Sequence, residues 1–519
     1  MPAQALATAQ SRALKEHAQQ TGVWRHVLIH HALLGNNAAL REARYPLGSE
    51  DLLCRDVLLL DQDPALFKAL QPRLAPETDI WLLHAVMRFL LRHSAFGEAL
   101  ALVEIGLRRE EPDTSLANAA AKQLYARGED KTARGLLEVS VGVAKLQGDL
   151  APWLDGTAPR TPPPIASMTR RPLSFYLPVY NVAEHIAAAI EGILGQSYPI
   201  EEILIVDDGT PDNAVEIARQ YPVRVVAHGG NRGLASARNT AFQSAETEFL
   251  GAIDTDAIPE PDFALKTMLA FDNAVPDVAG VGGRMFEAKT ATPADRWRAA
   301  HLGQDSGPLR RCPTGLFGAC TIHRRQDILD AGGFEEKCRT NAEDWYIVRA
   351  LEAKGRILEY TPHAAAWHQR TDTDESVLDT MWRWAYWIRH ERGEFAPEAL
   401  LSKGIQGTLD QARYCFLGDR DAGRPDLFGL DLAYAFRGAL RDLQHGVECG
   451  ALAPLQAAAV QHAIVSCRAA APMFAETIER LTVPLLPERP SAAASLDLLF
   501  VAGLQELAAE CTRAYEAAS

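Results

Sequence analysis

The chain has 519 residues, a formal net charge of −15, and an ordinary mixture of 47% hydrophobic and 23% charged residues. This length predicts about three domains, and the composition excludes a disordered or fibrous protein. The negative charge, with no dense run of Lys or Arg, argues against nucleic acid as a partner.

The N-terminal sequence and the cysteines bear on where the protein works. The N-terminus lacks the apolar segment of a signal peptide, and no run of about 18 apolar residues could span a bilayer. The eight cysteines are scattered without C-x-x-C spacing, so neither a zinc site nor a disulfide framework is indicated. These features predict a cytoplasmic protein, with a peripheral position at the membrane as the alternative.

Residues 1–156 show apolar residues at helical spacing throughout and predict an all-α domain. Two blocks within it align at an offset of 34 residues, which pairs Leu82 with Leu116 and Leu102 with Leu136. That period resembles a tetratricopeptide helical hairpin. An irregular helical domain is the alternative interpretation.

The rhythm of the chain changes after a proline-rich segment at residues 157–171, which predicts an exposed linker. Short apolar strands then alternate with helices across a domain at residues 172–395, which favours a mostly parallel sheet. Residues 396–519 are predicted to be helical again. The strands are predicted at 173–177, 202–206, 224–227 and 248–253, with helices near 182–194, 212–220, 234–244 and 262–270.

Polar residues follow the predicted strands at the edge where ligands bind to open α/β sheets. A single D-x-D pair is more often a solvated turn or a helix cap, but here several segments occur in a fixed order. In chain order, they are Pro178-Val179-Tyr180-Asn181, Asp207-Asp208-Gly209-Thr210, Asn231-Arg232-Gly233-Leu234-Ala235-Ser236-Ala237-Arg238-Asn239 and Asp254-Thr255-Asp256.

This assembly of PVYN, VDDGT, NRGLASARN and DTD resembles family 2 of the nucleotide-sugar glycosyltransferases, over roughly residues 173–393. The resemblance implies an α/β GT-A fold, with a Rossmann-like, mostly parallel sheet, flanked here by all-α regions at both ends. It also implies an inverting, metal-dependent transfer from a nucleoside-diphosphate sugar, with a UDP- or dTDP-sugar as the expected donor.

Asp254 and Asp256 have the chemistry that such a reaction needs. A departing diphosphate requires its charge to be neutralised, and carboxylates are the hard ligands that Mn²⁺ or Mg²⁺ prefers. If the strand conformation continues through Thr255, the two side chains point the same way. The resemblance implies that Asp256 binds the metal, while Asp254 holds the ribose or a position beside the metal.

The donor nucleotide needs a stacking face and hydrogen-bonding partners. Tyr180 offers an aromatic ring, with a half-buried core tyrosine as the alternative. Asp207 or Asp208 can accept hydrogen bonds from the base or ribose, and Arg238 can bridge to the base or phosphate. Pro178, Asn181 and Gly233 complete the predicted donor site, although a plain helix start explains Gly233 nearly as well.

The acceptor side is expected around two further segments. The resemblance places Gly318 and Ala319 under the sugar and acceptor, with packing as the alternative role. Glu343, Asp344 and Trp345 match the family's E-D motif, whose Asp is the general base. Because successive helical residues diverge by about 100°, only one carboxylate can face the acceptor, and we expect it to be Asp344.

Two histidines follow at positions 363 and 368. If that segment is extended, an odd separation places His363 and His368 on opposite faces, so both cannot serve one site. By resemblance His368 reaches the metal or the diphosphate, and Arg370 supports it. His363 is interpreted as structural.

The acceptor remains open at this point. A helical-repeat module in front of a transferase can hold a protein chain, which favours a protein acceptor, and a lipid-linked or polysaccharide acceptor is the alternative. A non-catalytic helical scaffold with a decayed transferase domain is a further alternative. A nucleotidyltransferase would need a Gly-rich phosphate loop with a basic residue after the first strand, and Pro178-Val179-Tyr180-Asn181 is not one.

Overall fold

The computed structural model describes residues 2–42, 44–110, 112–143, 150–158, 170–274, 276–308, 315–482 and 499–518. The chain divides into two compact units. The first comprises Met1–Phe286 with Gln304–Gln369, and the second comprises Glu287–Gly303 with Arg370–Ser519. The predicted boundaries at residues 156, 172 and 395 stay predictions, and most of the predicted linker, residues 159–169, lies outside the described part of the chain.

The N-terminal region of the first unit is helical, as expected. Its helices are α1 Pro2–Thr21, α2 Arg25–Leu33, α3 Asn37–Arg41, α4 Ser49–Leu58, α5 Leu66–Leu70, α6 Ile80–Arg92, α7 Phe96–Leu107, α8 Ser115–Ala126, α9 Asp130–Val143 and α10 Ala151–Leu154. The offset of 34 residues carries the first residue of α7 onto the first residue of α9. Leu82 and Leu116 are both buried, and the tetratricopeptide-like repeat stays a prediction.

Helix α6 is apolar around its whole circumference because it is enclosed on all sides. Asp79 caps its N-terminus by accepting a hydrogen bond from Trp81 N at 2.8 Å. Ile80 to Leu91 are all buried, since α6 packs against α7, α8 and a helix of the sheet region. The N-terminal helices therefore share one core with the sheet within this unit.

The rest of the first unit is built on an eight-stranded sheet. Its strands are β1 Leu173–Val179, β2 Glu202–Asp207, β3 Arg224–Ala227, β4 Phe249–Ile253, β5 Ala257–Pro259, β6 Val278–Glu287, β7 Cys320–Arg324 and β8 Ile357–His368. The helices from here to the end of β8 are α11 Ile186–Leu194, α12 Ala214–Ala218, α13 Leu234–Ser244, α14 Phe263–Asn273, α15 Pro293–His301, α16 Arg325–Asp330 and α17 Glu343–Ala353, of which α15 belongs to the second unit.

The strand order is β3-β2-β1-β4-β7-β6-β8-β5. The four strands that the sequence predicted run parallel to one another. The pairings of β4 with β7, of β6 with β7 and of β5 with β8 are antiparallel, so the sheet is mixed. Gly251 sits at the centre of β4 because a Cβ atom there would overlap the ring of Phe175 on β1.

Buried polar contacts join the N-terminal helices to the sheet region. Gln10 accepts a hydrogen bond from Ile200 N at 3.1 Å, and Arg88 pairs with Asp272 at 3.4 Å. On β8, His363 Nε2 lies 2.5 Å from Asp113 Oδ2. His363 is therefore a structural residue, as expected, and β8 is extended so that His368 lies on its opposite face.

The second unit is helical in its described residues. Besides α15, it contains α18 Asp374–Glu391, α19 Ile405–Asp421, α20 Phe428–Glu448, α21 Pro454–Ser466, α22 Ala475–Leu481 and α23 Leu499–Ala518. Its core is formed by buried side chains such as Trp297, Phe416, Phe428, Leu432 and Phe436. Among the residues that the structure describes, no helix is both long and apolar enough to cross a bilayer.

The bond between Asp113 and His363 yields a stability prediction. Burial, the largest single effect, would raise the pKa of Asp113, but the hydrogen bond and charge of His363, together with His84 and Ser115, lower that pKa well below its ordinary value. A lowered carboxyl pKa stabilises the fold above the unfolded pKa of about 3.9, and this stabilisation is lost as the pH falls further. We expect Asp113→Asn to lower the free energy of unfolding at pH 7 by about 1–3 kcal/mol.

Urea unfolding at pH 7 and near pH 3 measures this effect, and the difference in unfolding free energy between variant and wild type should shrink as the pH falls below about 4. Glu104→Gln, which changes an exposed carboxylate on α7, is the matched control with little expected effect. A difference in unfolding free energy between Asp113→Asn and wild type that does not change with pH would contradict the role given to the ionised carboxylate.

Candidate active site

Two loops at the carboxyl ends of β1 and β2 form one side of the candidate site. Tyr180 follows β1 with 49% of its surface exposed, so its ring is not a core residue. Asn181 adopts a left-handed conformation with φ 56° and donates its N–H to Thr210 Oγ1 at 2.7 Å. Asp207 accepts hydrogen bonds from Gly209 N and Thr210 N at 3.0 and 2.9 Å. These bonds tie the two loops together.

Asp208 is buried and organises the loop before α13. Its carboxylate accepts hydrogen bonds from Arg232 N at 2.7 Å and Gly233 N at 2.8 Å, and His228 Nδ1 lies 2.8 Å away. Gly233 has φ +100°, and a Cβ atom there would overlap the backbone of Arg339. Only glycine therefore fits this turn.

Asp254 and Asp256 lie on a turn between β4 and β5. The condition that the strand conformation continues through Thr255 is not met. Asp254 O accepts a hydrogen bond from Ala257 N at 2.9 Å, so the chain turns at this point. Strand β5 then pairs antiparallel with β8, with Ala257 opposite His368. This pairing places His368 Nε2 3.3 Å from Asp256 Oδ2.

Arg238 holds the back of the site together. Only 2% of this residue is exposed. Its guanidinium donates to Tyr176 Oη at 2.8 Å and to Gly318 O at 2.9 Å. It also contacts Glu343 Oε1 at 3.2 Å and Asp254 Oδ1 at 3.3 Å. Arg238 therefore lies behind the site with its donors bonded to protein groups, rather than extended towards a base or phosphate.

The segment Gly318–Ala319 links the two acidic parts of the site. Ala319 O accepts a hydrogen bond from Asp254 N at 3.1 Å, and Gly318 N donates to Asp344 Oδ2 at 3.3 Å. A Cβ atom at Gly318 would overlap the Arg238 guanidinium. One short segment thus contacts the turn after β4, the buried arginine and the start of α17.

The first turn of α17 directs its two carboxylates to different places. Glu343 is buried and turns towards Arg238, whereas Asp344 is half-buried and accepts from Gly318 N and from Trp345 N, the latter at 2.8 Å. The residue before the helix, Ala342, has φ +70°, a strained conformation for a residue with a side chain. The two carboxylates diverge as helical geometry requires.

The acidic residues are packed closely enough to change one another's protonation. Burial raises the pKa of Asp254, opposed by Arg238, while the charges of Asp256 and Asp344 raise it further. Burial raises the pKa of Glu343 to about 7 against the opposing charge of Arg238. Burial also raises the pKa of Asp344, although Arg238 and the N–H groups of Gly318 and Trp345 oppose it. Clustered carboxylates with raised pKa values are typical of a functional site.

These elements surround a cavity of about 290 Å³ at the carboxyl edge of the sheet. Its lining contains six residues of the predicted site, Pro178, Tyr180, Asp208, Gly233, Asp254 and Asp256. The loops and the helix around the cavity carry three more residues of the predicted site, Asn181, Asp207 and Arg238. The remaining predicted residues of this unit are connected to the cavity wall through the contacts described above, and they are Gly318, Ala319, Glu343, Asp344 and Trp345. Arg370 begins the second unit, where it contacts Asp372 and Thr380 at 2.9 and 3.1 Å.

Sequence analysis missed Arg339 and Thr340 in the cavity wall. Arg339 O accepts a hydrogen bond from Leu234 N at 2.7 Å, and its guanidinium donates to Asn231 Oδ1 at 2.6 Å. Both residues lie in an irregular loop just before the E-D motif. No periodicity marks such a loop, so only its position next to that motif could have drawn attention to it.

The comparisons with known proteins agree with this geometry. Residues 174–329 match the family model described as glycosyl transferase family 2. Residues 174–329 are therefore similar to family 2 glycosyltransferases, the class of domain that the sequence motifs indicated. Together with the mixed sheet and the helical regions on either side of it, this match confirms the expected GT-A fold class.

Two curated relatives are similar over part of the chain. The "Uncharacterized glycosyltransferase EpsJ" of Bacillus subtilis is 37% identical over 115 residues, 21% of this chain and 33% of that protein. The poly-beta-1,6-N-acetyl-D-glucosamine synthase of Staphylococcus epidermidis is 23% identical over 223 residues, 41% of this chain and 53% of that protein. The chain thus spans only a third to a half of the length of these relatives.

A solved structure of the mannosyltransferase PcManGT from Pyrobaculum calidifontis, in complex with GDP-Man and Mn²⁺, also aligns with the chain. The alignment covers 76% of this chain and 98% of PcManGT at 17% identity, with a TM-score of 0.34. A likeness at this score supports no argument about activity.

Arg238 provides the prediction for the site's stability. Arg238→Met leaves the buried Glu343 and the partly exposed Asp254 without their common counter-charge, and removing one partner of a buried ion pair costs about 3–5 kcal/mol. Without the arginine, the pKa values of these carboxyl groups in the folded protein rise further above their values in the unfolded chain. The variant's free energy of unfolding should therefore fall as the pH increases, and the loss relative to wild type should be larger at pH 8 than at pH 5.

Urea unfolding across this pH range tests the prediction. Arg219→Met, which changes an exposed arginine just after α12, is the control and should remain within about 0.5 kcal/mol of wild type. A deficit that is equal at pH 5 and pH 8 would show that Arg238 contributes packing rather than charge.

Proposed function

We propose that this protein is an inverting glycosyltransferase that moves a sugar from a nucleoside-diphosphate sugar to an acceptor hydroxyl. The observation that carries this proposal is the arrangement around Gly318–Ala319. This segment is bonded on one side to Asp254 and on the other to Asp344. A donor-binding carboxylate and a proton acceptor can thereby flank one sugar.

The donor would lie in the cavity at the end of the sheet. The exposed ring of Tyr180 is available to stack on the base, and Asn181, Asp207 and Asp208 hold the surrounding loops in place. The close approach of Gly233 to Arg339 shapes the wall near the nucleotide. A UDP- or dTDP-sugar remains the expected donor.

The residues beside the cavity fit a divalent cation. Asp254 and Asp256 supply hard carboxylate oxygens, and His368 adds a nitrogen 3.3 Å from Asp256. This mixture of donors suits Mn²⁺ or Mg²⁺. When bound, such an ion would act as a Lewis acid that neutralises the departing diphosphate. Asp256 and His368 would hold it, while Asp254 stays fixed by Arg238.

Asp344 is the proposed general base. Its partner in the motif, Glu343, is turned towards Arg238, which leaves Asp344 as the carboxylate next to Gly318. The raised pKa of Asp344 strengthens it as a proton acceptor. Deprotonation of the acceptor hydroxyl during attack on the anomeric carbon, opposite the leaving diphosphate, inverts the configuration at that carbon.

The first prediction for this function concerns Asp344. Asp344→Asn keeps the shape of the side chain but removes its basicity, so transfer should fall by about 10²-fold or more. UDP binding should stay near the wild-type level. Glu352→Gln, an exposed change on the same helix, is the control. Transfer assays and calorimetric UDP titrations measure both quantities, and near wild-type turnover would remove Asp344 from the proposed role.

Wild-type turnover should also depend on pH. The base must be ionised, so the rate should decrease as the pH falls through the raised pKa of Asp344.

The second prediction separates the metal from the base. Asp256→Ala removes a carboxylate next to His368, so Mn²⁺ should no longer increase the affinity for UDP. The expected loss of UDP affinity in the presence of Mn²⁺ is about tenfold, which corresponds to ~1.4 kcal/mol of binding free energy. UDP titrations with and without Mn²⁺ measure the effect of the ion on this affinity. Glu246→Ala, which changes an exposed residue just before β4, is the control. An undiminished Mn²⁺ effect in Asp256→Ala would reject the proposed metal ligand.

The acceptor is proposed to be a protein, because the helical region shares a core with the transferase sheet and offers an extended surface. A lipid-linked or polysaccharide acceptor is the alternative, and the likeness to a poly-beta-1,6-N-acetyl-D-glucosamine synthase favours a polysaccharide. Incubating the protein with labelled sugar nucleotides and a lysate of its own cells distinguishes them. Label in protease-resistant lipid or polymer would end the protein proposal.

A decayed, non-catalytic domain would release no sugar from any nucleotide donor in the same assay with Mn²⁺ present. The expected location in the cytoplasm, or at its membrane surface, stays a prediction.

A further inference from the structure

A second group of metal-ligating side chains lies within the helical second unit, among residues that the proposed function does not use. His301 is the last residue of α15, Cys415 and Asp419 lie on α19, and Asp431 lies in the first turn of α20. We call these four residues the His301 cluster. Cys415 and Asp419 are four residues apart and therefore occupy the same face of α19.

The cluster is closed to solvent. Cys415, Asp419 and Asp431 are each 0% exposed, and the His301 side chain is 5% exposed. Ionisable side chains are rarely buried to this degree unless they are paired or bind a metal. Each of these ionisable side chains should therefore have a charged partner, a hydrogen-bond partner or a bound metal.

The polar atoms of the cluster converge on one point. His301 Nε2 lies 3.0 Å from Asp419 Oδ2 and 3.7 Å from Asp431 Oδ1. The ligand atoms of His301, Cys415 and Asp431 all lie within 4.8 Å of one another. Gln411 Nε2 is 3.8 Å from the Cys415 sulfur.

The two carboxylates of the cluster differ in their partners. Asp419 pairs with Arg424 at 2.7 Å, and Asp431 Oδ1 accepts a hydrogen bond from Trp297 Nε1 at 2.7 Å. The other oxygen of Asp431 has no hydrogen-bond partner among the described residues, although it is buried. An unsatisfied buried carboxylate oxygen is costly, and here it belongs to the second of two carboxylates that approach the same imidazole nitrogen.

We infer that His301, Cys415, Asp419 and Asp431 form a structural zinc site within the second unit. With Zn–N and Zn–O bonds of about 2.0–2.1 Å, tetrahedral ligand atoms are about 3.3 Å apart. The two observed separations of 3.0 and 3.7 Å bracket that value. A small movement of the Cys415 side chain completes the set.

The kinds of ligand select zinc over the ions expected at the active site. A thiolate and an imidazole are soft and borderline ligands, which suit zinc, whereas Mn²⁺ and Mg²⁺ prefer oxygen ligands. With zinc bound, the charges sum to zero. The Cys415 thiolate and the two carboxylates contribute −3, the histidine is neutral, and the zinc dication and Arg424 contribute +3. Four protein ligands with no open position describe a structural site rather than a catalytic one.

The position of the cluster indicates what the metal does. It joins α15, which lies in the short segment Glu287–Gly303, to α19 and α20 from the later part of the chain. Zinc bound there links three helices that are distant in sequence, and its binding free energy adds to the stability of the second unit.

The wild-type chain provides the first test. Full-length protein equilibrated with Zn²⁺ and then dialysed should retain about one equivalent of zinc, measured by elemental analysis. Asp256→Ala should retain the same amount, because that residue belongs to the proposed catalytic metal site. Retention of much less than one equivalent by the wild type would overturn the inference and leave direct contacts among His301, Asp419 and Asp431 as the explanation.

Variants and cobalt substitution identify the ligands. Cys415→Ser and Asp431→Asn should each lose most of the retained zinc, and Co²⁺-loaded wild type should show a thiolate-to-cobalt charge-transfer band that Cys415→Ser lacks. Cys467→Ser, a change at another buried cysteine of this unit whose sulfur donates to Ala463 O and Val501 O, is the matched control and should keep both signals.

A cobalt band that persists in Cys415→Ser would reject Cys415 as a ligand. The wild-type spectrum stays decisive even if a variant folds poorly. Because the readout is metal content rather than transfer, the outcome is independent of the proposed glycosyltransferase function.

Discussion

The candidate active site depends on one buried cation. Arg238 is enclosed by the protein and touches Tyr176, Gly318, Asp254 and Glu343 with a single planar group. Arginine is suited to this because its charge persists at any physiological pH and its donors form a fixed fork. Its charge balances the buried Glu343 and the partly exposed Asp254, and its hydrogen bond to Gly318 O fixes the segment that separates the turn after β4 from α17.

Strand β8 connects the N-terminal helices to the same site. Its side chains alternate, so His363 faces Asp113 of the helical region while His368 faces Asp256. The helices therefore do more than precede the transferase domain along the chain. They pack against the strand that carries the proposed metal ligand, and any change in that packing acts on the position of His368.

Residues close together in sequence were the easiest to interpret. The first four strands were predicted to within two residues of their observed ends, and α13 was predicted at its observed bounds, because local apolar runs and Gly-containing turns mark such elements. The antiparallel strands β6 and β7 were not predicted, since their partners are distant in sequence. Arg238 was assigned to the nucleotide because nothing local indicated that Glu343, 105 residues away, would bind it.

The amino-acid sequence by itself determined the resemblance to family 2 glycosyltransferases and the order of the polar segments along the sheet edge, because these follow from motifs. It also predicted Asp344 rather than Glu343 as the base, from the motif and from helical periodicity. Only the tertiary structure decided which side chains meet. It turned the chain at Thr255, buried Arg238 behind the site, and brought His301, Cys415, Asp419 and Asp431 together from three helices. Spacing along the chain carries no information about such contacts, since they are set by the packing of elements far apart in sequence.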